Sequence, residues 1–242
     1  DGLNPLGTCV GSESIAGTDP VDPDTDDDEI IDGLEDRNGN GIVDGNETPA
    51  LDADWDDDGI TDGDELNILN TNPNHPDSDS DDLNDGLEMG LVSSVSPGYS
   101  ISGIRFEGTD ETKGNYFPDQ EPSSLTDPLD PDSDNDALKD GIEDFDKDGY
   151  WDFTEPNPMD GDTDDDGLSD GEEDANSNGK KDFDETDPVN ADSDDDYLND
   201  GLERGLTVVH VFAGQSDGMG LPYAGTARSW TPDSDGNTVT NP

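Results

Sequence analysis

The residues with chemistry in this chain are carboxylates at fixed intervals. Asp162, Asp164 and Asp166 alternate along one stretch, Gly167 and Leu168 follow, and Asp170 and Glu173 close a twelve-residue unit. Oxygens at positions 1, 3, 5, 9 and 12, with a backbone carbonyl at position 7, are the ligand layout of an oxygen-only cation loop. Such a set suits Ca²⁺. Mg²⁺ demands near-ideal octahedral geometry and keeps its waters, and Zn²⁺ and iron prefer nitrogen or sulfur. The chain offers only His75, His210 and Cys9 as soft donors.

The unit occurs nine times. Loop one is Asp24, Asp26, Asp28, Ile30, Asp32, Glu35, and loop two abuts it as Asp36, Asn38, Asn40, Ile42, Asp44, Glu47. Loop three is Asp54, Asp56, Asp58, Ile60, Asp62, Glu65, and loop four is Asp77, Asp79, Asp81, Leu83, Asp85, Glu88. Loop five is Asp132, Asp134, Asp136, Leu138, Asp140, Glu143, followed directly by loop six, Asp144, Asp146, Asp148, Tyr150, Asp152, Glu155. Loop seven is Asp162, Asp164, Asp166, Leu168, Asp170, Glu173. Loop eight abuts it as Asp174, Asn176, Asn178, Lys180, Asp182, Glu185, and loop nine is Asp192, Asp194, Asp196, Leu198, Asp200, Glu203. In each set the position-7 residue contributes its carbonyl. Asp22, Asp52 and Asp160, two residues ahead of a loop, are either solvated acids or ligands of a shared second ion.

Position 6 must turn sharply, which glycine permits. Gly41, Gly59, Gly149, Gly167 and Gly179 meet this need, whereas Glu29, Asp82, Ala137 and Tyr197 stand there in loops one, four, five and nine. Those four sites are therefore expected to be distorted, weaker, or completed from elsewhere.

The elements that must position these residues are sparse. The 242 residues hold 67 acids against 9 bases, a formal charge of −58, and only 26% are apolar. Such a composition does not bury enough apolar surface to offset chain entropy. Each divalent ion removes two charges, so nine would bring −58 to about −40. The expected fold is mostly irregular coil: tandem metal-wrapped calcium loops in an elongated array, small β-hairpin inserts, and few or no long helices. Metal ligation then supplies most of the folding free energy.

A larger period lies above the loops. Loops one to three recur 108 residues later as five to seven, and loop four recurs 115 residues later as loop nine. The expected division is a short insert remnant over 1–20, a four-loop array over 21–88, an insert over 89–131, a five-loop array over 132–203 and a second insert over 204–242. Residues 117–128 align with 231–242, and Asp1-Gly2-Leu3 resembles the closing half of a loop, so the sequence reads as a window of a longer repeat protein. Proline-bearing spacers (Pro49, Pro156, Pro158, Pro188) are expected to be extended and stiff. The inserts are β-rich and too small for a core of their own, so they must pack on the loops or on a neighbouring chain.

The unit Asp-x-Asp-x-Asp-Gly-x-x-Asp-Gly-x-Glu, as in Asp54–Glu65 and Asp162–Glu173, resembles thrombospondin type 3 repeats. The resemblance covers Asp19–Glu88 and Asp127–Glu203. It implies calcium wrapped with little regular secondary structure, an extracellular or cell-surface location, and a stalk or linker role. EF-hand and dockerin modules share the loop but need flanking helices, for which abutting loops leave no room.

Several classes are disfavoured. A charge this negative repels nucleic acid and anionic membranes. No apolar run is long enough to span a bilayer, and one cysteine excludes a disulfide framework. No nucleophile–base grouping or phosphate-cradling loop is present, so no enzyme is expected. The expected function is a calcium-stabilised extracellular structural protein, a stalk or the repeating subunit of a surface fibre that self-associates. The alternative is a calcium-dependent adhesion module presenting insert aromatics such as Tyr99, Phe117, Phe212 and Trp230 to a partner or glycan. Asn46-Glu47-Thr48 is the one glycan-acceptor pattern.

Overall fold

The computed structural model describes residues 17–151 and 153–205. Asp152, Cys9, His210, most of the 1–20 segment and the second insert beyond Gly205 lie outside the described residues, as do Phe212, Trp230 and the repeat over 231–242.

The described chain is mostly coil. Each of six loops ends in one helical turn: α1 (Asp32–Glu35), α2 (Asp62–Asp64), α3 (Asp85–Glu88), α4 (Asp140–Glu143), α5 (Asp170–Glu173) and α6 (Asp200–Glu203). α2 runs on into a π-helical turn, Glu65–Leu69, capped by Asn70 in the left-handed region. The turns form over positions 9–12, where an aspartate at the first helical position puts negative charge at the positive end of the turn. They stop after one turn because a new aspartate loop or a spacer begins there. The only sheet among the described residues is a hairpin in the first insert, β1 (Gly98–Tyr99) antiparallel to β2 (Arg105–Phe106). No helix among the described residues is long and apolar enough to cross a membrane.

Successive helical turns are joined through glycine. A Cβ on Gly141 or Gly171 would lie 2.5 Å from the carbonyl oxygen of Asp81 or Asp136, and at Gly63, Gly86 and Gly201 it would lie closer still to those of Asp28, Asp58 and Asp166. The tenth position of one loop thus sits on the fifth-position carbonyl of an earlier one. The order is one, three, four, five, seven, nine. Loops two, six and eight stand outside this ladder. Glycine inside a helical turn costs about 1 kcal/mol relative to alanine; here the close approach of two backbones requires it.

Each joint also covers an apolar seventh residue. Ile30, Ile60, Leu83, Leu138 and Leu168 are buried in this way. Among the described residues nine apolar side chains are buried, against twenty-five aspartates and glutamates. The interior is therefore lined by carboxylates, and the apolar contacts are separate points along the ladder.

The first insert packs on the loops. Ser100 Oγ and the Ser102 N–H donate to Asp19, at 2.7 and 2.8 Å, and the Ile101 N–H donates to Asp22. Further on, Thr109 Oγ1 donates to Asp54, the Asp110 N–H to Asp57, and Asn115 Nδ2 to the Asp56 carbonyl. Tyr116 covers Gly59, and Lys113 pairs with buried Asp57 while lying 5.6 Å from the Trp55 ring centroid.

Candidate metal centres

All nine loops share one backbone wrap. The position-6 N–H donates to the position-1 carboxylate at 2.6–3.1 Å in every case. The position-7 N–H donates to the position-5 side-chain oxygen at 2.6–3.0 Å in eight of them. These bonds aim the alternating oxygens inward and require left-handed backbone at two residues.

Position 6 has positive φ throughout, and Glu29 (80°), Asp82 (86°), Ala137 (83°) and Tyr197 (79°) match Gly41 (74°) and Gly167 (98°). The four loops without glycine are thus not distorted at this turn. They hold the same conformation at a cost of about 1–2 kcal/mol per residue. Position 4 is left-handed as well, at Asp27, Gly39, Asp57, Ser80, Asn135, Lys147, Asp165, Ser177 and Asp195. Aspartate, asparagine and glycine tolerate this region best.

The position-9 aspartate has a different setting. Its carboxylate accepts the position-2 N–H, as in Thr25 to Asp32, Trp55 to Asp62, Ser78 to Asp85, Ser133 to Asp140, Thr163 to Asp170 and Ser193 to Asp200. Thr25, Ser78 and Thr163 add their hydroxyls. This residue closes the loop and starts the helical turn.

The closing glutamates of loops one to seven are buried. Thr48, Thr71 and Thr126 donate hydroxyls to one oxygen of Glu35, Glu65 and Glu88, leaving Oε2 of each buried without a protein donor. Both oxygens of Glu143 are buried without one, as are Oδ1 of Asp54 and Oδ2 of Asp58, Asp134 and Asp164. A buried carboxylate oxygen lacking any donor is strongly unfavourable. Within loops one, three and four, carboxylate oxygens of positions 1, 3 and 5 lie within 4.8 Å of one another, as do those of Asp144, Asp146, Asp148 and Glu155 in loop six. Buried Asp58, Glu65 and Asp85 form a similar group across loops three and four.

The electrostatic consequence is large. Burial, then neighbouring carboxylates, push Glu65 up to about 11 and Glu35 and Glu143 to about 10. Burial raises Asp58 and Asp62 to about 9 and Asp26 to about 8. Carboxylates packed this way exist as anions only beside a cation. Several of these clusters can hold a metal ion, and the all-oxygen donor set is that of a hard divalent cation.

Loops two and eight are built differently. Asn38 Nδ2 donates to Asp44 and Glu47, Asn40 Nδ2 donates to Asp44, and Glu47 also accepts the Asp44 N–H. Asn176 and Asn178 repeat this toward Asp182 and Glu185. The asparagine amides satisfy the carboxylates locally, and most of each loop is exposed. In loop nine, Asp194 and Asp196 are exposed although the wrap is retained.

Asp22, Asp52 and Asp160 fall in three settings: Asp22 accepts the Ile101 N–H, Asp52 is raised to about 7 by burial with Lys113 nearby, and Asp160 is exposed.

Sequence reasoning gave no positioning role to three sets of residues. The tenth-position glycines, the spacer threonines just ahead of a proline, and the Ser/Thr at position 2 recur in most ladder loops, so periodicity flags the positions but not their partners. Comparison with protein-family models, with curated proteins and with solved structures gives no match.

Proposed function

We propose that this chain is a calcium-stabilised extracellular structural segment, a stalk or the repeating subunit of a surface fibre. In this reading the loops form an elongated array, each wrapping Ca²⁺, and the chain is not an enzyme. The observation that carries it is the repeated burial of donor-less carboxylate oxygens, above all at Glu143 and across Asp58 and Glu65. Basic side chains are scarce beside them: the salt bridges seen among the described residues, Arg105–Glu107 and Lys113–Asp57, involve no ligand position.

Calcium fits better than magnesium. It takes six to eight oxygens in flexible geometry, and extracellular modules bind it at millimolar levels. Loops with five side-chain oxygens and a glutamate capable of bidentate contact supply that number. The resemblance to thrombospondin type 3 repeats supports the same ion and the same compartment. A set that recurs nine times in ordered spacing is what a scaffold needs and a single active site does not.

A second reading, adhesion through the first insert, is favoured by exposed Tyr99 and Ile101 at the hairpin tip. Several of the insert's polar groups bond the loops, as at Thr109 and Asn115, which favours the scaffold. Electron microscopy of the full chain in calcium and in EGTA tests the proposal. The scaffold reading expects a stiff particle that collapses on chelation; a particle of unchanged shape contradicts it.

A further inference from the structure

Among the described residues the joint between ladder loops recurs five times, and each of its halves is also found unpaired. The donor half is a helical turn whose tenth-position glycine meets an earlier loop. Gly141, Gly171 and Gly201 donate their N–H to Oδ2 of Asp81, Asp136 and Asp166 at 3.1, 2.5 and 2.7 Å. In α1 the equivalent Gly33 is exposed, and a Cβ built on it meets nothing within 4 Å. Beside it Ile31 and Leu34 are exposed.

The acceptor half is a fifth-position carbonyl and carboxylate with an apolar seventh residue. Leu138 is 0% and Leu168 2% exposed in loops that receive a turn; in loop nine Leu198 is 44% exposed and Asp196 is open to solvent.

We propose that a second copy of this chain completes the joint head to tail. Gly33 of one copy seats on the Asp196 carbonyl of the other, its N–H donates to the Asp196 carboxylate, and α1 covers Leu198. The argument is continuity: the interface already exists five times within the chain, with the same residue types on both sides. The contact is heterologous, so it propagates as an open filament unless its rotation closes a ring. Both ends are acidic, so docking needs the loops loaded with cation. The inference rests on the calcium-scaffold reading and specifies how such segments join.

Gly33 offers a clean test, because a side chain there has free space in the single chain and none in the joint. Its φ is not left-handed, and alanine favours the helical turn. The full-length chain and its Gly33→Ala variant are compared by sedimentation velocity in calcium and in EGTA. The wild type is expected to form concentration-dependent oligomers in calcium only. Gly33→Ala is expected to bind calcium equally, by calorimetry, and to associate about tenfold more weakly or worse. Because its loop nine remains intact, a small proportion of Gly33→Ala mixed with wild type is expected to shorten the assemblies. Oligomers of Gly33→Ala as large as those of wild type overturn the proposal. So does a wild type that binds calcium, gains order and stays monomeric at high concentration, a result that leaves the scaffold reading standing. A chain whose order ignores calcium overturns the scaffold reading instead.

Discussion

Loop three and loop two follow the same twelve-residue plan and solve its electrostatic problem in opposite ways. Loop three holds five carboxylates, Asp54, Asp56, Asp58, Asp62 and Glu65, all buried, with the first insert bonded to Asp54 and Asp56. Loop two replaces two of them with Asn38 and Asn40, whose amides bond Asp44 and Glu47, and most of it faces water. The backbone wrap is the same in both, with the position-6 N–H on Asp54 at 3.1 Å and on Asp36 at 2.8 Å. Demand for a cation is therefore set by carboxylate count and burial, not by loop conformation. A buried all-carboxylate loop keeps the wrap but leaves acid oxygens without donors, whereas an asparagine loop satisfies its acids through its own amides.

The sharpest way to break this contrast is to remove the closing charge from each loop. Glu65→Gln leaves a buried cluster short of one anion and is expected to cost about 3 kcal/mol in calcium, the scale of a broken buried pair. Glu47 is buried too, but its carboxylate already accepts the Asn38 amide and the Asp44 N–H, so Glu47→Gln is expected to cost only about 1 kcal/mol, the scale of a hydrogen bond. Thermal unfolding in calcium measures both, and equal losses dissolve the distinction.

Acid separates the metal-free from the loaded protein. Burial holds Asp26, Asp58, Glu65 and Glu143 above their unfolded values, so without metal the folded state binds more protons between about pH 4 and pH 8. The stabilising effect of acid is fully present below the unfolded values and is lost as pH rises through the raised ones. In EGTA the fold is therefore expected to gain stability from pH 8 to pH 5. In calcium the sign reverses, because protons displace the ion. Circular dichroism melts across this range give the two slopes; slopes of one sign contradict the account.

Conversion of loop two sharpens the comparison further. Asn38→Asp with Asn40→Asp removes the amide donors and restores five carboxylates. Calcium affinity at that loop is expected to rise and metal-free stability to fall, by about 1–2 kcal/mol for the lost hydrogen bonds. Calorimetry and EGTA melts report the two changes separately.

The smallest effect is expected at position 6. Ala137 holds φ of 83°, and glycine adopts that conformation without strain. Ala137→Gly is expected to stabilise the loaded protein by about 1 kcal/mol, offset in part by the freer unfolded chain. A loss of stability places the strain elsewhere.

The scarcity of regular structure was legible in the sequence because spacing and composition both argue for it. Asp-x-Asp-x-Asp fixes the turn geometry locally, so Asp54–Glu65 forms its wrap without help from distant residues. Gly141 was harder to read. Its reason is a carbonyl of Asp81, sixty residues earlier, and no local pattern distinguishes a glycine needed for close approach from one in a poor helix. The position-9 aspartates show the converse problem: the spacing gives Asp170 a ligand slot, while the fold ties its carboxylate to Thr163. The lid over loop three was also hidden, since Thr109 and Asn115 reach Asp54 and Asp56 only through long-range packing. Position 4 was visible in principle, because Asp, Asn, Ser and Gly recur there.

The most direct test of a fold ordered by cations is hydrogen exchange at the position-6 and position-7 amides of the full chain, read with calcium, with magnesium, and with EGTA. Calcium is expected to protect these amides in the buried loops, with Gly59 and Leu138 among the slowest. EGTA is expected to release them, and magnesium to restore only a fraction. Protection of the same depth with calcium and with EGTA would contradict the account.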